Sequence, residues 1–232
     1  MLRFGPDTGP VVVVALPLFE EANRTRAFGV TILRALAERD IAGVLPDLPG
    51  QGESLLPTHD TDLAKLRAGF AAVAQALQFP GEIRGAGPHH PTPLIFTLAI
   101  RSGALLDTDA AVTARYHLSP MTGADLRREL IRARQASARE SGEPFDPASI
   151  DTATAPIELA GNLIAPALLA DLATATPSTQ ATRTVRLVTE AKPADHKLPG
   201  SPLWRRAEPD NDPAFAALVA DDIAQWIATC AV

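Results

Sequence analysis

The sequence is poor in several residue types, and each shortage excludes a class of protein. Cys230 is the only cysteine among 232 residues, which excludes an intramolecular disulfide and a cysteine-based zinc site. Lysine occurs only at Lys65, Lys192 and Lys197, and the net charge is −6. Because phosphate neutralisation needs clustered lysine and arginine, we expect no dedicated nucleic-acid-binding function.

Long apolar runs are also missing. The run at residues 11–16 is far shorter than the roughly 20 residues that cross a bilayer, and Glu20 and Glu21 follow it too closely for a signal peptide. We therefore expect no membrane span and a cytoplasmic location. We expect no cofactor. His89 and His90 are neighbours, but no third ligand follows at a suitable spacing, so they predict surface residues and not a metal site.

What the sequence does contain is an alternation of strand and helix patterns. Its hydrophobic content of 46% and its length suit one α/β domain with a full core. Apolar runs predict strands at residues 11–16, 41–45, 94–100, 112–118, 184–189 and 203–205, and helical spacing predicts helices at residues 24–39, 62–77, 102–111 and 213–229. Such alternation predicts a mostly parallel sheet with helices on both faces.

The alternation stops between residues 122 and 180. A strongly charged helix is predicted at residues 124–140, a polar segment follows, and a Leu/Ala-rich helix is predicted at residues 159–174 with a break near Pro166. We interpret residues 122–180 as a small helical cap, inserted into a core formed by residues 1–121 and 181–232.

The turn after the strand at residues 94–100 carries the clearest motif. The sequence AIRSG (residues 99–103) has the small-x-nucleophile-x-small pattern of the turn that holds the nucleophile in α/β-hydrolases, and we call this turn the elbow. The nucleophile position holds Arg101, whose guanidinium is always protonated and cannot attack a carbonyl. Ser102 is the alternative nucleophile, although that register places Ile100 where a small residue belongs. The other interpretation of Ser102 is a serine that satisfies backbone donors at a helix start.

Further segments extend this resemblance over nearly the whole chain. The loop PDLPGQGES (46–54) resembles the D-x-x-G-x-G-x-S loop of α/β-hydrolases. The segments LPLFEEANR (16–24), AIRSGAL (99–105) and LWRRAEP (203–209) resemble the "hydrolase 2" group of exosortase-A-system-associated proteins. The resemblance implies the α/β-hydrolase fold. It also implies a bacterial protein encoded beside exopolysaccharide and protein-sorting loci. Members of this group are called hydrolases because of their fold, and a fold does not establish an activity.

The other catalytic positions of such a hydrolase also hold unexpected residues. Its histidine position, after residues 203–206, holds Glu208, and its oxyanion loop holds Glu20 and Glu21. We therefore predict a buried charge cluster in which Arg101 pairs with one of these carboxylates. The alternative is that Glu20 or Glu21 caps the following helix.

The remaining histidines do not complete a triad. His117 is predicted in or at the end of a strand. His196 lies beside Asp195 in a predicted solvated loop, and adjacent residues on a loop rarely pair as acid and base.

Three functions are compatible with these patterns. The first is a non-catalytic pseudo-hydrolase that binds a small molecule or a protein in the crevice at the carboxyl ends of the strands, where Arg101 favours an anion. The second is an active ester or acyl hydrolase that uses Ser102 or a non-standard site. The third is a scaffold or dimer subunit with an interface at residues 159–172. We favour the first, and the sequence leaves the ligand and the oligomeric state open.

Overall fold

The computed structural model describes residues 1–78 and 92–230, and a seven-stranded sheet forms its centre. The strands are β1 (Leu2–Phe4), β2 (Val11–Ala15), β3 (Ala42–Leu45), β4 (Ile95–Ile100), β5 (Ala114–Leu118), β8 (Thr182–Leu187) and β9 (His196–Leu198), in the spatial order β1-β3-β2-β4-β5-β8-β9. Only β1 runs antiparallel to its neighbour, and the other neighbouring pairs are parallel. The predicted mostly parallel sheet is confirmed. His89 and His90 lie outside the described residues.

Helices cover both faces of this sheet, as predicted. They are α1 (Glu20–Ala37), α2 (Leu63–Gln78), α3 (Gly123–Ser141), α4 (Ser149–Thr152), α5 (Pro166–Thr174) and α6 (Pro213–Cys230). Helices α1 and α6 pack together against one face, and α2, α3 and α5 share an apolar cluster with the other. Over residues 1–78 and 92–230, every helix is too short or too polar to cross a bilayer.

Strand β2 shows why the apolar runs form buried strands. All five of its residues are buried. Val12 and Val14 pack into the cluster that contains α1 and α6, and Val11 and Val13 pack into the opposite cluster. Side chains alternate across a strand, so only a continuous apolar run can fill both layers.

The segment between β5 and β8 contains α3, α4 and α5 and a hairpin of β6 (Ile157–Leu159) and β7 (Asn162–Ile164). The helix predicted over residues 159–174 is therefore wrong in its first half. Ala160 and Gly161 have φ values of 49° and 74°, which form a turn, and the helix begins only at Pro166, where proline is well tolerated. The division of the chain into a core and a cap at residues 122–180 stays a prediction.

Three other expectations about elements are wrong. The predicted helix at residues 102–111 is a short 3₁₀ segment, Arg101–Leu105. The predicted strand at residues 203–205 is also a 3₁₀ segment, Leu203–Arg205. The solvated loop predicted around His196 is instead the edge strand β9, which is short and polar and so lacks the apolar run that predicts a buried strand.

Candidate functional site

The elbow joins β4 to the 3₁₀ segment through a strained residue. Arg101 has a φ of 55°, a conformation that costs non-glycine residues about 1–3 kcal/mol and persists only where the surroundings impose it. Gly103 lies so close to β2 that an added Cβ would be 2.2 Å from the carbonyl oxygen of Ala15. The sharp turn thus places Arg101, and not Ser102, at the strained position at the carboxyl end of β4.

The Arg101 side chain is held by two carboxylates. Its Nε donates to Glu21 Oε2 at 3.3 Å, and its Nη2 donates to Glu21 Oε1 at 3.1 Å. The same Nη2 donates to both carboxylate oxygens of Glu129, at 3.2 and 3.1 Å. The guanidinium also lies over the ring of Trp204, 5.5 Å from its centroid, within the range of a cation–π contact.

Burial and charge act on this cluster in opposite directions. Arg101 is 10% exposed and Glu21 14% exposed, whereas Glu129 is 46% exposed. Burial disfavours the charged guanidinium, but Glu21 and Glu129 outweigh it and raise the pKa of Arg101. Burial raises the pKa of Glu21 above its usual range, and Arg101 offsets this only in part. The guanidinium is therefore a fixed positive charge that two carboxylates share.

The structure brings together part of the predicted charge cluster. Glu21 contacts Arg101 as proposed. Among the ion pairs of the described residues, none joins Arg101 to Glu20 or Glu208, so Glu21 is the one of the three candidate carboxylates that pairs with Arg101. Neighbouring residues on a helix point about 100° apart, so Glu20 turns away when Glu21 faces the elbow. Glu208 lies beyond the 3₁₀ segment and is exposed.

The alternative role predicted for these glutamates was a favourable interaction with the start of the following helix. Both Glu20 and Glu21 lie in the first turn of α1, but the N-cap residue is Phe19, with no side-chain capping hydrogen bond. Carboxylates in a first helical turn are still favoured by the helix dipole.

The prediction from the sequence missed Glu129 and Trp204. Glu129 lies three residues after the buried Leu126 on α3, which places it near the apolar face of that helix. Trp204 is 2% exposed and lies in the 3₁₀ segment after β9, ahead of Glu208, the residue at the predicted histidine position. Two signals in the sequence could have indicated these residues: the helical spacing in α3 for Glu129, and the large aromatic side chain in the LWRR segment for Trp204.

Ser102 is fully buried, and its hydroxyl is occupied. Its exposed fraction is 0%, and its Oγ accepts a hydrogen bond of 2.9 Å from the backbone N–H of Leu18. This contact supports the interpretation of Ser102 as a residue that satisfies a backbone donor. Leu18 belongs to the loop that supplies an oxyanion donor in many hydrolases, so that donor is also occupied.

The two histidines after the elbow pair with carboxylates elsewhere. His117, on β5, is 1% exposed, and its Nε2 lies 3.0 Å from Asp107 Oδ2. His196 places its Nδ1 2.7 Å from Asp222 Oδ1; its side chain is 44% exposed, as predicted, but it lies on the edge strand β9 and not in a loop. Within the described residues, neither imidazole forms a hydrogen bond with Ser102.

Glu190 lies in the turn that follows β8. It accepts a hydrogen bond of 2.6 Å from Ser119 Oγ and one of 2.9 Å from Arg186 Nη1. Ser119 follows β5 and is fully buried.

A cavity of about 460 Å³ opens beside Arg101 at the carboxyl edge of the sheet. We call it the crevice. Its walls are α3, the residues that follow β8, and the 3₁₀ segment Leu203–Arg205. No group of three or more His, Cys, Asp or Glu side chains able to hold a metal ion occurs within residues 1–78 and 92–230.

Comparison with known proteins gives matches among solved structures only. No protein-family model matches the chain, and no curated protein sequence matches it. The structure of Est1E from Butyrivibrio proteoclasticus with bound ferulic acid is similar over 98% of this chain and 93% of its own, with a TM-score of 0.54 and 14% identity. A putative hydrolase from Agrobacterium vitis S4 is similar over 98% and 91%, with a TM-score of 0.52 and 15% identity.

Identities this low establish the fold alone. Together with the mostly parallel sheet and the strained turn after β4, the two likenesses show that this chain has the α/β-hydrolase fold.

Proposed function

We propose that this protein is a pseudo-hydrolase, a non-catalytic protein that binds a ligand or a protein partner in the crevice where hydrolases of this fold carry their active site. One observation carries the proposal. The strained position of the elbow holds Arg101, and Glu21 and Glu129 fix its guanidinium there.

The chemistry of acyl transfer supports this assignment. The reaction needs a nucleophile, a base that takes its proton, and free N–H donors for the oxyanion. Arg101 cannot act as a nucleophile. His117 and His196, the two histidines after the elbow, pair with Asp107 and Asp222, so within the described residues neither imidazole is placed to take a proton from Ser102. The N–H of Leu18 is already donated to Ser102.

An active ester or acyl hydrolase is the second candidate, favoured by the overall likeness to Est1E and to the putative hydrolase. Ser102 or a non-standard group would have to supply the nucleophile. Ser102 could do so only after giving up its contact with Leu18 and reaching the crevice surface.

Labelling with a fluorophosphonate probe and hydrolysis of short p-nitrophenyl esters separate the two candidates. We expect the wild type to remain unlabelled and to match the Ser102→Ala variant in ester hydrolysis, while an active serine esterase assayed alongside confirms the reagents. Labelling or hydrolysis that disappears in Ser102→Ala would make the protein an enzyme. Activity that persists in Ser102→Ala after further purification would point to a non-standard site and would also contradict the proposal.

We further propose a biological setting, a cytoplasmic accessory role in bacterial exopolysaccharide or exosortase systems. The support for this setting is the resemblance of residues 16–24, 99–105 and 203–209 to the "hydrolase 2" group. Deletion of the gene should lower exopolysaccharide yield or impair protein sorting, and the wild-type gene should restore it. Normal exopolysaccharide yield and normal protein sorting in the deletion strain would contradict the proposed biological role. The proposed absence of catalysis does not depend on this result.

A further inference from the structure

The crevice is positively charged within a negatively charged chain. The cations that line it are Arg101, Arg128, Arg132, Arg186, Lys192 and Arg205, and the carboxylates are Asp125, Glu129 and Glu190. These six cations and three carboxylates leave an excess of three positive charges among the lining residues, or two once Glu21, which pairs with Arg101, is counted, whereas the whole chain has a net charge of −6. A concave surface of one sign concentrates ligands of the opposite sign.

Carboxylates in the walls neutralise only some of these cations. Asp125 pairs with Arg128 at 2.7 Å and with Lys192 at 3.3 Å. Glu190 pairs with Arg186 at 2.9 Å. These pairs account for Arg128, Lys192 and Arg186.

Two guanidinium groups are left over. Arg132 lies on α3 and Arg205 lies in the 3₁₀ segment after β9, so they approach the crevice from two different walls. Neither forms an ion pair among residues 1–78 and 92–230. A guanidinium is planar and offers parallel N–H donors that suit a carboxylate.

Glu129 marks where a ligand carboxylate would bind. It extends from α3 to Arg101, and both its oxygens lie within 3.2 Å of Arg101 Nη2. Unlike Glu21, it is nearly half exposed, with 46% of its side chain accessible. An exposed ion pair contributes little to stability, so a ligand can replace Glu129 at low cost.

We infer that the crevice binds a small organic carboxylate, whose carboxylate group replaces Glu129 on Arg101 and is attracted by Arg132 and Arg205. Its apolar part would contact Met121 and Leu187, which also line the crevice. This inference rests on the proposed ligand-binding function and adds the chemical class of the ligand. The crevice has a volume of about 460 Å³, which is within the range of pockets that bind small molecules.

Isothermal titration calorimetry with benzoate tests the inference on the full chain at low ionic strength. Benzamide, which has the same shape but no charge, and inorganic phosphate, which has the charge but no apolar part, are the comparison ligands. We expect benzoate to bind with one site per chain, and both comparison ligands to bind about tenfold more weakly or worse.

Four single variants locate the binding site. We expect Glu129→Gln to bind benzoate about threefold or more tightly, because it removes both a competitor and a negative charge. Arg132→Ala and Arg205→Ala should each weaken binding about threefold or more. Arg139→Ala, which removes an exposed arginine of α3 that does not line the crevice, is the matched control and should leave the affinity unchanged. Thermal unfolding of each variant confirms that it is folded.

Three results would overturn the inference: no binding of millimolar benzoate, equal binding of benzamide or phosphate, or equal losses in Arg132→Ala, Arg205→Ala and Arg139→Ala. Equal binding of benzamide would leave the proposed binding function intact. Conversely, ester hydrolysis dependent on Ser102 would refute the non-catalytic function whatever the affinity for benzoate.

Discussion

Arg101 is the residue on which the electrostatics of the elbow depend, because its partner Glu21 is buried. Removing the guanidinium in Arg101→Ala leaves a buried carboxylate without its counter-charge. We expect the free energy of unfolding to fall by about 3–5 kcal/mol, measured by urea denaturation at neutral pH. Glu20→Gln, a change at the neighbouring residue that does not pair with Arg101, should change it by less than about 0.5 kcal/mol.

Removing both charges distinguishes an ion pair from simple packing. In the double variant Arg101→Met with Glu21→Gln, no unpaired charge is buried, so the loss should be smaller than in Arg101→Ala alone. If Arg101→Ala were no more destabilising than Glu20→Gln, the buried cluster would not exist in solution.

A second prediction for a single residue concerns the hydrogen bond of Ser102. Ser102→Ala leaves the buried N–H of Leu18 without an acceptor, which should lower the free energy of unfolding by about 1–3 kcal/mol. Ser201→Ala, at an exposed serine in a loop, is the control and should be neutral in the same denaturation experiment. An equally small effect in both variants would contradict the hydrogen bond between the Leu18 N–H and Ser102 Oγ.

The sequence predicted the part of the site that lies on local elements. Arg101 was predicted from the elbow motif, and Glu21 was predicted from the segment after β2, which the fold brings to the elbow and which begins helix α1. Glu129 and Trp204 were missed, and the candidate Glu208 does not pair with Arg101, because their positions depend on how α3 and the segment after β9 lie over the edge of the sheet. Such packing between distant segments leaves only weak local signals, here the helical spacing of Glu129 in α3 and the aromatic side chain in the LWRR segment.

At the scale of elements, the close approach of the elbow to β2 depends on Gly103. In Gly103→Ala, the new Cβ would lie 2.2 Å from the carbonyl oxygen of Ala15 and 2.8 Å from that of Leu16. Backbone atoms cannot rotate away, so β4 and β2 must separate locally. We expect a loss of about 1–3 kcal/mol or more in the free energy of unfolding.

The control for this variant is a glycine with open surroundings. Gly142 ends α3 with a φ of 73°, and an added Cβ there would have no atom within 4 Å. Gly142→Asn should cost less than about 1 kcal/mol, because asparagine tolerates this conformation. A loss in Gly103→Ala no larger than in Gly142→Asn would contradict the close packing of the elbow.

Helices and strands with a long apolar pattern were predicted well. Short elements whose position depends on a turn, such as the β6–β7 hairpin, were not. Strands β2 and β4 and helices α2 and α6 have long apolar patterns that allow one interpretation each. The β6–β7 hairpin was missed because its two strands have only three residues each, and its turn uses Ala160, an unusual residue for a positive φ.

At the scale of the whole molecule, Asp222 links α6 to the far edge of the sheet and makes stability depend on pH. It pairs with Arg183 at 2.8 Å and accepts a hydrogen bond of 2.8 Å from the hydroxyl of Tyr116. Burial alone would raise the pKa of Asp222, but the contacts with Arg183, Tyr116 and His196 outweigh it and lower the pKa below its usual range.

A lowered pKa in the folded state fixes the sign of the pH effect. The stabilisation by Asp222 is complete above the pKa that aspartate has in an unfolded chain, about 3.9. It is lost as the pH falls through the lower pKa of the folded state. Glu21 acts in the opposite direction, because its raised pKa lets the folded state bind a proton more readily, so its contribution decreases as the pH rises.

We therefore expect Asp222→Asn to be less stable than the wild type at neutral pH and to lose less further stability between about pH 5 and pH 3. Urea denaturation across that range measures both effects. Asp221→Asn, at the neighbouring residue that pairs with Arg39 on the surface, should keep the acid sensitivity of the wild type. Parallel pH profiles for Asp222→Asn and the wild type would assign the acid sensitivity to other carboxylates.

The contact between Trp204 and Arg101 also has an optical consequence. The chain has two tryptophans. Trp204 lies beneath the guanidinium of Arg101, whereas Trp226 packs against Phe96 and Tyr116, with ring centroids 5.5 and 5.7 Å away. In a Trp226→Phe variant, all remaining indole emission would come from beside the elbow. Its wavelength and intensity would then report, without any attached dye, when the charge above Trp204 moves.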